Sequence, residues 1–314
     1  MPDISFDPDA RQRWAERRAA IERGRFCSTP DGLVPWWRTR LSSRLVTLCG
    51  GLVRFTPIHL LGRRNALQLR LTELELSFRH LPAAFDGYRI LQVSDTHLDH
   101  LPELAPIARR LLSGLEVDLL ALTGDVQGKH HAPIDRSTAL LAEALDGLRV
   151  CGRRLAVLGN HDPVEMAHAL ESQRFEVLLN RSVFLEHGGE RMAVTGLDDV
   201  HCFYTDEAAA ALNAAALAAS SFRIALVHSA EMADHAAAAG YALYLCGHTH
   251  GGQICLPGGK PVVTHLARCR SAARGLWRWS GMVGYTTTGL GVSGPPLRFY
   301  CPGEVALVTL RRSR

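Results

Sequence analysis

Side chains that commonly bind metal ions occur in five short motifs, and each motif lies at the end of an apolar run. The motifs are SDTH (94–97), TGD (123–125), GNHD (159–162), LVHS (226–229) and GHTH (247–250). Carboxylate and amide oxygens combined with imidazoles suit Mn²⁺, Fe or Zn²⁺, whereas a softer site would use thiolates. None of the eight cysteines lies in these motifs. The sequence therefore predicts a metal site built from oxygen and imidazole ligands.

The spacing of these residues favours two metal ions over one. An Asp and a His at positions i and i+2 directly after a strand can both reach one ion. One carboxylate can also bridge two ions that lie about 3.5–4 Å apart. A single histidine at a strand end is usually a polar residue with an ordinary partner, so it is the joint set that predicts a two-metal site.

The elements that carry the motifs alternate between strands and helices from Gly87 onward. YRILQVSD, VDLLALTGD and RRLAVLGNHD read as strands, and PELAPIARRLLSGLE and RSTALLAEALDGL read as the helices between them. DEAAAALNAAALAAS (206–220) reads as a helix, FRIALVHS and ALYLCGHTH as strands, and the tail from Met282 as alternating strands ending in EVALVTL. Open α/β sheets bind ligands at the carboxyl ends of their strands. We therefore expect an α/β fold in which the motifs meet at one sheet edge.

The order D-x-H, G-D, G-N-H-D, H, G-H-x-H resembles the calcineurin-like metallophosphoesterases. All five blocks occur in order across roughly residues 88–252, and GGQICLP with GLGVSGPPLRFYCPGEVALVTL resembles the bacterial branch that includes membrane-associated phosphoesterases. The similarity extends over about residues 85–311. It implies a four-layer α/β/β/α sandwich with a two-metal site at the carboxyl edge of the sheets.

The resemblance also implies a role for each motif residue. The first metal ion would be held by Asp95, His97, Asp125 and His250, and the second by Asp125, Asn160, His228 and His248. Two ions that share a carboxylate lower the pKa of water and hold phosphoryl oxygens for in-line attack. His161 would protonate the leaving oxygen or stabilise transition-state charge, with Asp162 orienting its imidazole. The other ten histidines are expected at the surface or in loops, and Asp198 and Asp199 in a helix cap or turn.

The first 70 residues differ from the rest because they are strongly basic. They hold 13 arginines, no lysine and six acidic residues, in a chain whose formal net charge is only +4. A polar helix is predicted over roughly 10–24 and an amphipathic basic segment over 36–54. The apolar stripe of that segment is Trp37, Leu41, Leu45, Leu48 and Leu52, and its arginines are Arg38, Arg40, Arg44 and Arg54. It either packs on the catalytic domain or lies on an anionic membrane. We predict a helical extension over 1–70 and a metallophosphoesterase domain over 71–314.

Composition restricts the class and the location of the protein. Hydrophobic residues make up 47% and charged residues 21%, which excludes a disordered chain. The cysteines form no C-x-x-C pair, which favours a reducing compartment. There is no apolar leader and no run of 18 apolar residues. We expect a cytoplasmic protein, peripheral on the inner face of the cytoplasmic membrane if the amphipathic segment binds lipid.

These observations predict a hydrolase of phosphoester or pyrophosphate bonds that uses two divalent ions, Mn²⁺ being favoured over Fe and Zn²⁺. An amphiphilic substrate such as UDP-2,3-diacylglucosamine would suit the basic amphipathic segment. One alternative is a phosphodiesterase or nuclease acting on soluble nucleotides or nucleic acid. The four arginines and two tryptophans of RCRSAARGLWRW (268–279) could serve either substrate class, although the low net charge argues against a nucleic-acid partner. A non-catalytic scaffold would lack ligands, yet no expected ligand is replaced. No protein partner is indicated.

Overall fold

The computed structural model describes residues 8–24, 26–35, 56–129, 132–217 and 222–313. The α-helices within these ranges are α1 (Pro8–Arg23), α2 (Pro57–Ala66), α3 (Leu104–Leu112), α4 (Ile134–Ala144), α5 (Val164–Ser172), α6 (Asp206–Leu217) and α7 (Ala233–Ala238). Short 3₁₀ turns occupy Ala83–Phe85, Ala230–Met232, His250–Gly252 and Arg270–Ala272. The first nine strands are β1 (Phe26–Thr29), β2 (Gly32–Pro35), β3 (Leu69–Phe78), β4 (Arg89–Val93), β5 (Glu116–Val117), β6 (Leu119–Thr123), β7 (Arg149–Val150), β8 (Arg154–Val157) and β9 (Glu176–Val177). The others are β10 (Arg181–His187), β11 (Glu190–Gly196), β12 (Arg223–Leu226), β13 (Leu243–Cys246), β14 (Cys255–Leu256), β15 (Lys260–Pro261), β16 (Gly275–Trp279), β17 (Met282–Thr286) and β18 (Gly303–Arg312).

Two six-stranded mixed sheets form the centre of the molecule. Their strand orders are β3-β18-β4-β6-β8-β9 and β10-β11-β12-β13-β17-β16. Strands β4, β6, β8 and β9 run parallel in the first sheet, and β11, β12, β13 and β17 run parallel in the second. The two parallel sets end at the same edge of the molecule. This is shown by His228, which follows β12: its Nδ1 lies 2.8 Å from the carbonyl oxygen of Thr123 at the end of β6.

The two sheets pack face to face, and helices cover their outer faces. Along β4, Ile90 lies between the sheets, whereas Leu91 packs with α3, α4 and α5. Along β12, Ile224 lies between the sheets, whereas Ala225 packs with α6 and α7. This alternation follows from the two-residue period of a strand, and it explains why both faces of these strands are apolar. The predicted α/β fold with four α/β/β/α layers is confirmed.

The N-terminal residues 8–35 pack against this sandwich. The predicted polar helix is α1, and Arg11 on it forms an ion pair with Glu171 of α5 at 2.5 Å. The strands β1 and β2 form a hairpin that the sequence did not predict. The boundary between an N-terminal extension over 1–70 and a domain over 71–314 stays a prediction. Strand β3 of the first sheet begins at Leu69, close to that boundary.

The amphipathic segment 36–54 lies outside the described residues, so its two alternatives stay predictions. Among the helices that the structure does describe, none combines the length and the hydropathy needed to span a bilayer.

Candidate metal centre

Each of the five motifs begins at, or just after, the last residue of a strand. Strands β4, β6 and β8 lead into SDTH, TGD and GNHD, and strands β12 and β13 lead into LVHS and GHTH. Their side chains meet in a buried pocket at the common carboxyl edge of the two sheets. The predicted ligands that the structure brings together there are Asp95, His97, Asp125, Asn160, His228, His248 and His250.

The first group of ligand atoms consists of Asp95, His97 and His250. One atom from each residue lies within 4.8 Å of the others, and all three residues are buried. His250 Nε2 is 3.5 Å from Asp95 Oδ1. His97 Nε2 is buried without a hydrogen-bond partner among the described residues, while its Nδ1 lies 2.9 Å from the carbonyl oxygen of Gln127. That arrangement orients the ring and leaves Nε2 available as a ligand.

The second group consists of Asp125, His228 and His248, and Asn160 adjoins it. His228 Nε2 lies 3.3 Å from both Asp125 Oδ2 and His248 Nδ1. The same His248 Nδ1 lies 2.9 Å from Asn160 Oδ1. A carboxylate, an amide oxygen and two imidazoles thus converge, which is a set of donors that divalent first-row metals accept.

Asp125 connects the two groups through one atom. Its Oδ2 lies 3.5 Å from His97 Nε2 of the first group and 3.3 Å from His228 Nε2 of the second. Its Oδ1 accepts a hydrogen bond from the backbone N–H of His161 at 2.8 Å. Asp125 would therefore be shared by two cations, and the residues present fit a two-metal centre.

The buried carboxylates and imidazoles of the two groups shift one another's pKa values. Burial raises the pKa of Asp125, but nearby His228 and His161 outweigh it, so this pKa lies well below the usual range. Burial lowers the pKa of His228, yet Asp125 holds it well above the usual range. Burial and adjacent histidines place the pKa values of His248 and His250 well below the usual range. Neutral imidazole is the form that binds metal, so these two side chains are ready to do so.

The backbone at the ligands is strained in a consistent way. Positive φ angles occur at Asp95 (48°), His97 (34°), Asp125 (55°), His248 (70°) and His250 (50°). Residues other than glycine rarely adopt this left-handed conformation, and it concentrates at functional sites. The motif turns therefore hold their ligands in a conformation that local propensity disfavours.

Two motif glycines are needed because the loops approach each other closely. A Cβ atom on Gly159 would lie 2.5 Å from the backbone nitrogen of Asp125. A Cβ atom on Gly247 would lie 2.9 Å from the Cβ of Ser94 and would overlap Asp95 Oδ2. Without a Cβ atom, the backbone of GNHD at Gly159 can lie against Asp125, and the backbone of GHTH at Gly247 can lie against Ser94 and Asp95.

The structure gives Asp162 a different role from the predicted one. Its carboxylate accepts four backbone N–H groups, those of Asp125 (2.8 Å), Val126 (2.8 Å), Gln127 (3.1 Å) and Gly159 (2.9 Å). Both oxygens are occupied in joining the loop after β6 to the loop after β8. The prediction that Asp162 orients the imidazole next to it is therefore corrected.

The ring of His161 is instead oriented by a backbone carbonyl. Its Nδ1 lies 3.0 Å from the carbonyl oxygen of Gly128, and its ring centroid lies 5.1 Å from that of His97. Asn160 and His161 are only partly buried, whereas the other six candidate metal ligands are buried. They are therefore the part of the site that solvent reaches.

Sequence reasoning missed His201, which it placed among the surface and loop histidines. Its ring centroid is 4.2 Å from that of His248, and its Nδ1 lies 2.9 Å from Oε2 of buried Glu231. The position of His201 soon after β11 was the available signal. Asp199 does have a turn role, because it accepts the N–H of Cys202 at 2.7 Å. Asp198 does not cap a helix but pairs with Arg18 of α1.

The basic, aromatic run over 268–279 is largely part of the packing. Trp277 is buried in β16 and donates a hydrogen bond from Nε1 to Thr286 Oγ1 at 2.9 Å. Trp279 is partly buried against the same apolar cluster. Arg268 forms ion pairs with Asp31 and Asp234. These two tryptophans do not form the stacking surface that a nuclease would need.

Comparison with known proteins identifies the family. The family model described as "Calcineurin-like phosphoesterase" matches residues 88–252, which is more than half of the chain. The chain belongs to the calcineurin-like phosphoesterase family. The match begins just before β4 and ends just after GHTH, so it contains all five ligand motifs. The predicted family and the predicted metallophosphoesterase activity are confirmed.

Bacterial members of this family are similar over most of the chain. The "Uncharacterized metallophosphoesterase YkuE" of Bacillus subtilis is 28% identical over 253 residues, covering 76% of this chain and 85% of that protein. "Phosphodiesterase YaeI" of Escherichia coli is 28% identical over 235 residues, covering 71% and 82%. A solved 5'-nucleotidase precursor from Thermus thermophilus is 16% identical with a TM-score of 0.43, covering 71% of this chain and 54% of that one. This chain thus spans about half the length of that solved protein.

Proposed function

We propose that the protein is a phosphodiesterase that uses two divalent cations, with Mn²⁺ as the preferred metal. The observation that carries the proposal is that Asp125 Oδ2, an atom of the second group, lies 3.5 Å from His97 Nε2 of the first group and 3.3 Å from His228 Nε2 of its own. The absence of thiolate from the two groups favours Mn²⁺ over softer metals. The name of the similar phosphodiesterase YaeI supports a diester substrate.

Asp95, His97, His250 and Asp125 would hold one cation, and Asp125, Asn160, His228 and His248 the other. Such cations, when bound, supply Lewis acidity that lowers the pKa of water and neutralises charge on phosphoryl oxygens. All of these side chains except Asn160 are buried, so the chain would hold both cations away from bulk solvent.

His161 is the residue that we assign to the leaving group. The carbonyl of Gly128 can only accept a hydrogen bond, so His161 Nδ1 carries its hydrogen and Nε2 is the nitrogen that gains or loses a proton. The backbone N–H of His161 is fixed on Asp125 Oδ1, which places the ring beside the ligand groups. His161 therefore donates a proton from Nε2 to the leaving oxygen as the ester bond breaks.

The test is a substrate panel with Mn²⁺-loaded protein: a bis-nitrophenyl phosphodiester, a nitrophenyl monoester, and diesters with more basic alkyl leaving groups. We expect diester hydrolysis, and we expect His161→Ala to lower kcat by about 10²–10⁴-fold for alkyl leaving groups and less for nitrophenol. Metal content should stay unchanged. His235→Ala is the matched control, because its exposed side chain lies outside both ligand groups and pairs with neighbouring Asp234 at 3.0 Å. Full metal occupancy without hydrolysis of any diester would favour a scaffold instead.

We further propose that the natural substrate is amphiphilic and that the enzyme binds peripherally to an anionic cytoplasmic membrane surface. The support is the sequence of residues 36–54, in which an apolar stripe lies beside four arginines. An arginine near an anionic leaflet contributes about 1 kcal/mol. Changing Arg40 and Arg44 to Glu should therefore weaken binding to phosphatidylglycerol vesicles by at least about 30-fold.

Sedimentation with vesicles at low salt measures this binding, and phosphatidylcholine vesicles give the uncharged reference. The same charge reversal at exposed Arg109 and Arg110 is the control. UDP-2,3-diacylglucosamine, a lipid-linked pyrophosphate, joins the substrate panel with release of UMP as the readout. A wild-type protein that ignores anionic vesicles would contradict the membrane proposal, and a preference for soluble diesters would contradict the amphiphilic one.

A further inference from the structure

An arginine from the N-terminal helix reaches the back of the metal-ligand loop. Arg18 of α1 is 1% exposed, and its Nη2 donates hydrogen bonds to the carbonyl oxygens of Gly159 and Asp162, each at 2.7 Å. These two residues flank Asn160 and His161. One nitrogen of Arg18 therefore binds both ends of the two-residue segment that carries a candidate metal ligand and the candidate proton donor.

The guanidinium of Arg18 is itself held on several sides. Its Nη1 forms an ion pair with Asp198, whose other carboxylate oxygen accepts a hydrogen bond from Trp14 Nε1 at 2.6 Å. The guanidinium carbon lies 3.9 Å from the centroid of the Phe203 ring. An arginine fixed in this way loses little further freedom when it binds the two carbonyls.

We propose that Arg18 is a positioning residue for the loop 159–162, so that the N-terminal helix completes the active site from outside the matched family region. A surface role for α1 would not require a buried guanidinium or bonds to the loop carbonyls. A lysine could not replace Arg18, because a single ammonium lacks the planar fork that reaches two carbonyls and a carboxylate together. The effect on turnover rests on the proposed function, whereas the effect on the loop does not.

The test compares three variants. Arg18→Ala removes the positioning group but leaves Asp198 buried without its arginine, which threatens the fold. The double variant Arg18→Ala/Asp198→Asn removes both charges and keeps a side-chain oxygen for Trp14. Arg17→Ala is the control, because Arg17 is exposed on the same helix and pairs with Glu207 at the surface.

Two readouts need no activity. Hydrogen exchange of the peptide containing residues 159–162 should be faster by about tenfold or more in the double variant and unchanged in Arg17→Ala. Elemental analysis of Mn²⁺-loaded protein should show that the double variant loses one of its two ions, since Asn160 belongs to one group only. If the double variant keeps two ions and wild-type exchange in this peptide, Arg18 does not position the loop.

Catalysis supplies a third readout. We expect kcat for a nitrophenyl diester to fall by about 10²-fold in whichever Arg18 variant folds, because displacing reacting groups by about 1 Å costs that much. Guanidinium, kept far below denaturing concentrations, should restore at least about a tenth of the wild-type kcat to Arg18→Ala, whereas methylammonium should not. Equal rescue by both ions would indicate a general charge effect and overturn the positioning role. A wild-type enzyme that hydrolyses no diester refutes the proposed function, while exchange and metal content still decide the role of Arg18.

Discussion

Replacing Gly159 with alanine tests whether close packing of the two ligand loops controls activity. The added Cβ would lie 2.5 Å from the backbone nitrogen of Asp125 and would overlap Asp125 Oδ1. Ordinary contacts begin at 3.4 Å, so the loop after β8 has to move away from Asp125 by roughly 1 Å. That movement separates Asn160 and His161 from the carboxylate that joins both groups of ligand atoms.

The expected cost has two parts. A shift of about 1 Å at the reacting groups lowers kcat by about 10²-fold. Overpacking of a buried contact costs about 1–3 kcal/mol of the free energy of unfolding, which lowers Tm by several degrees in a chain of this size. The loss of activity should therefore be large while most of the protein stays folded at 25 °C.

Hydrolysis of a nitrophenyl diester and thermal unfolding measure the two effects, and elemental analysis gives the bound metal. Gly258→Ala is the matched control, because Gly258 has positive φ (88°) but no atom within 4 Å of an added Cβ. It should cost some stability and leave kcat unchanged. If Gly159→Ala binds two ions and has kcat within twofold of the control, the close approach of the loops is not what sets the geometry of the site.

Three further changes test other parts of the structure. Asp125→Asn should reduce bound metal from two ions to fewer than one, since a neutral amide bridges cations poorly, and elemental analysis after reconstitution checks this. Oxidation with diamide should join Cys27 and Cys202, whose sulfur atoms lie 2.6 Å apart, and mass spectrometry of peptides after thiol blocking would detect the linked pair. Buried Arg298 donates hydrogen bonds to carbonyl oxygens of the loop 288–291, beside the first group of ligand atoms. Arg298→Met should lower Tm by about 10 °C or more, because those carbonyls would lose their hydrogen-bond donor. The first prediction is contradicted if Asp125→Asn keeps its metal, and the second if both cysteines are still found as blocked thiols. The third is contradicted if Arg298→Met has an unchanged Tm.

The sequence pattern was sufficient for an α/β fold and for the gathering of the ligands, whereas the four-layer sandwich followed from the resemblance to a known family. Strands such as β4 and β12 are apolar on both faces, and their period of two residues separates an inner face from a helix-covered face. Parallel strands end at a common edge of a sheet. The motif ligands, from Asp95 to His250, could therefore be expected to meet there without any knowledge of side-chain distances. These features depend on local pattern and on topology alone.

Contacts that depend on tertiary neighbours could not be predicted in this way. Helix α1 is polar, and no apolar stripe indicated that it would bury Arg18 against the loop 159–162. Asp162 was adjacent to His161 in sequence, yet its oxygens accept backbone N–H groups from another loop. His201 belongs to no motif, and it lies beside His248 because β11 and β13 are two strands apart in one sheet and end at the same edge.

Residues distant in the sequence hold the ligand residues in their strained backbone conformation. A left-handed backbone at a residue other than glycine costs about 1–3 kcal/mol, and such a conformation persists only where surrounding contacts enforce it. At Asp125 the enforcing contact comes from Asp162, which accepts its N–H and those of the next two residues. At Asp95 it comes from the loop 288–291, where Gly291 donates to the Asp95 carbonyl at 2.8 Å while Arg298 binds the carbonyl of Gly291. The five motifs supply the ligands, but groups outside them hold the ligands in conformations that the motifs alone would not adopt.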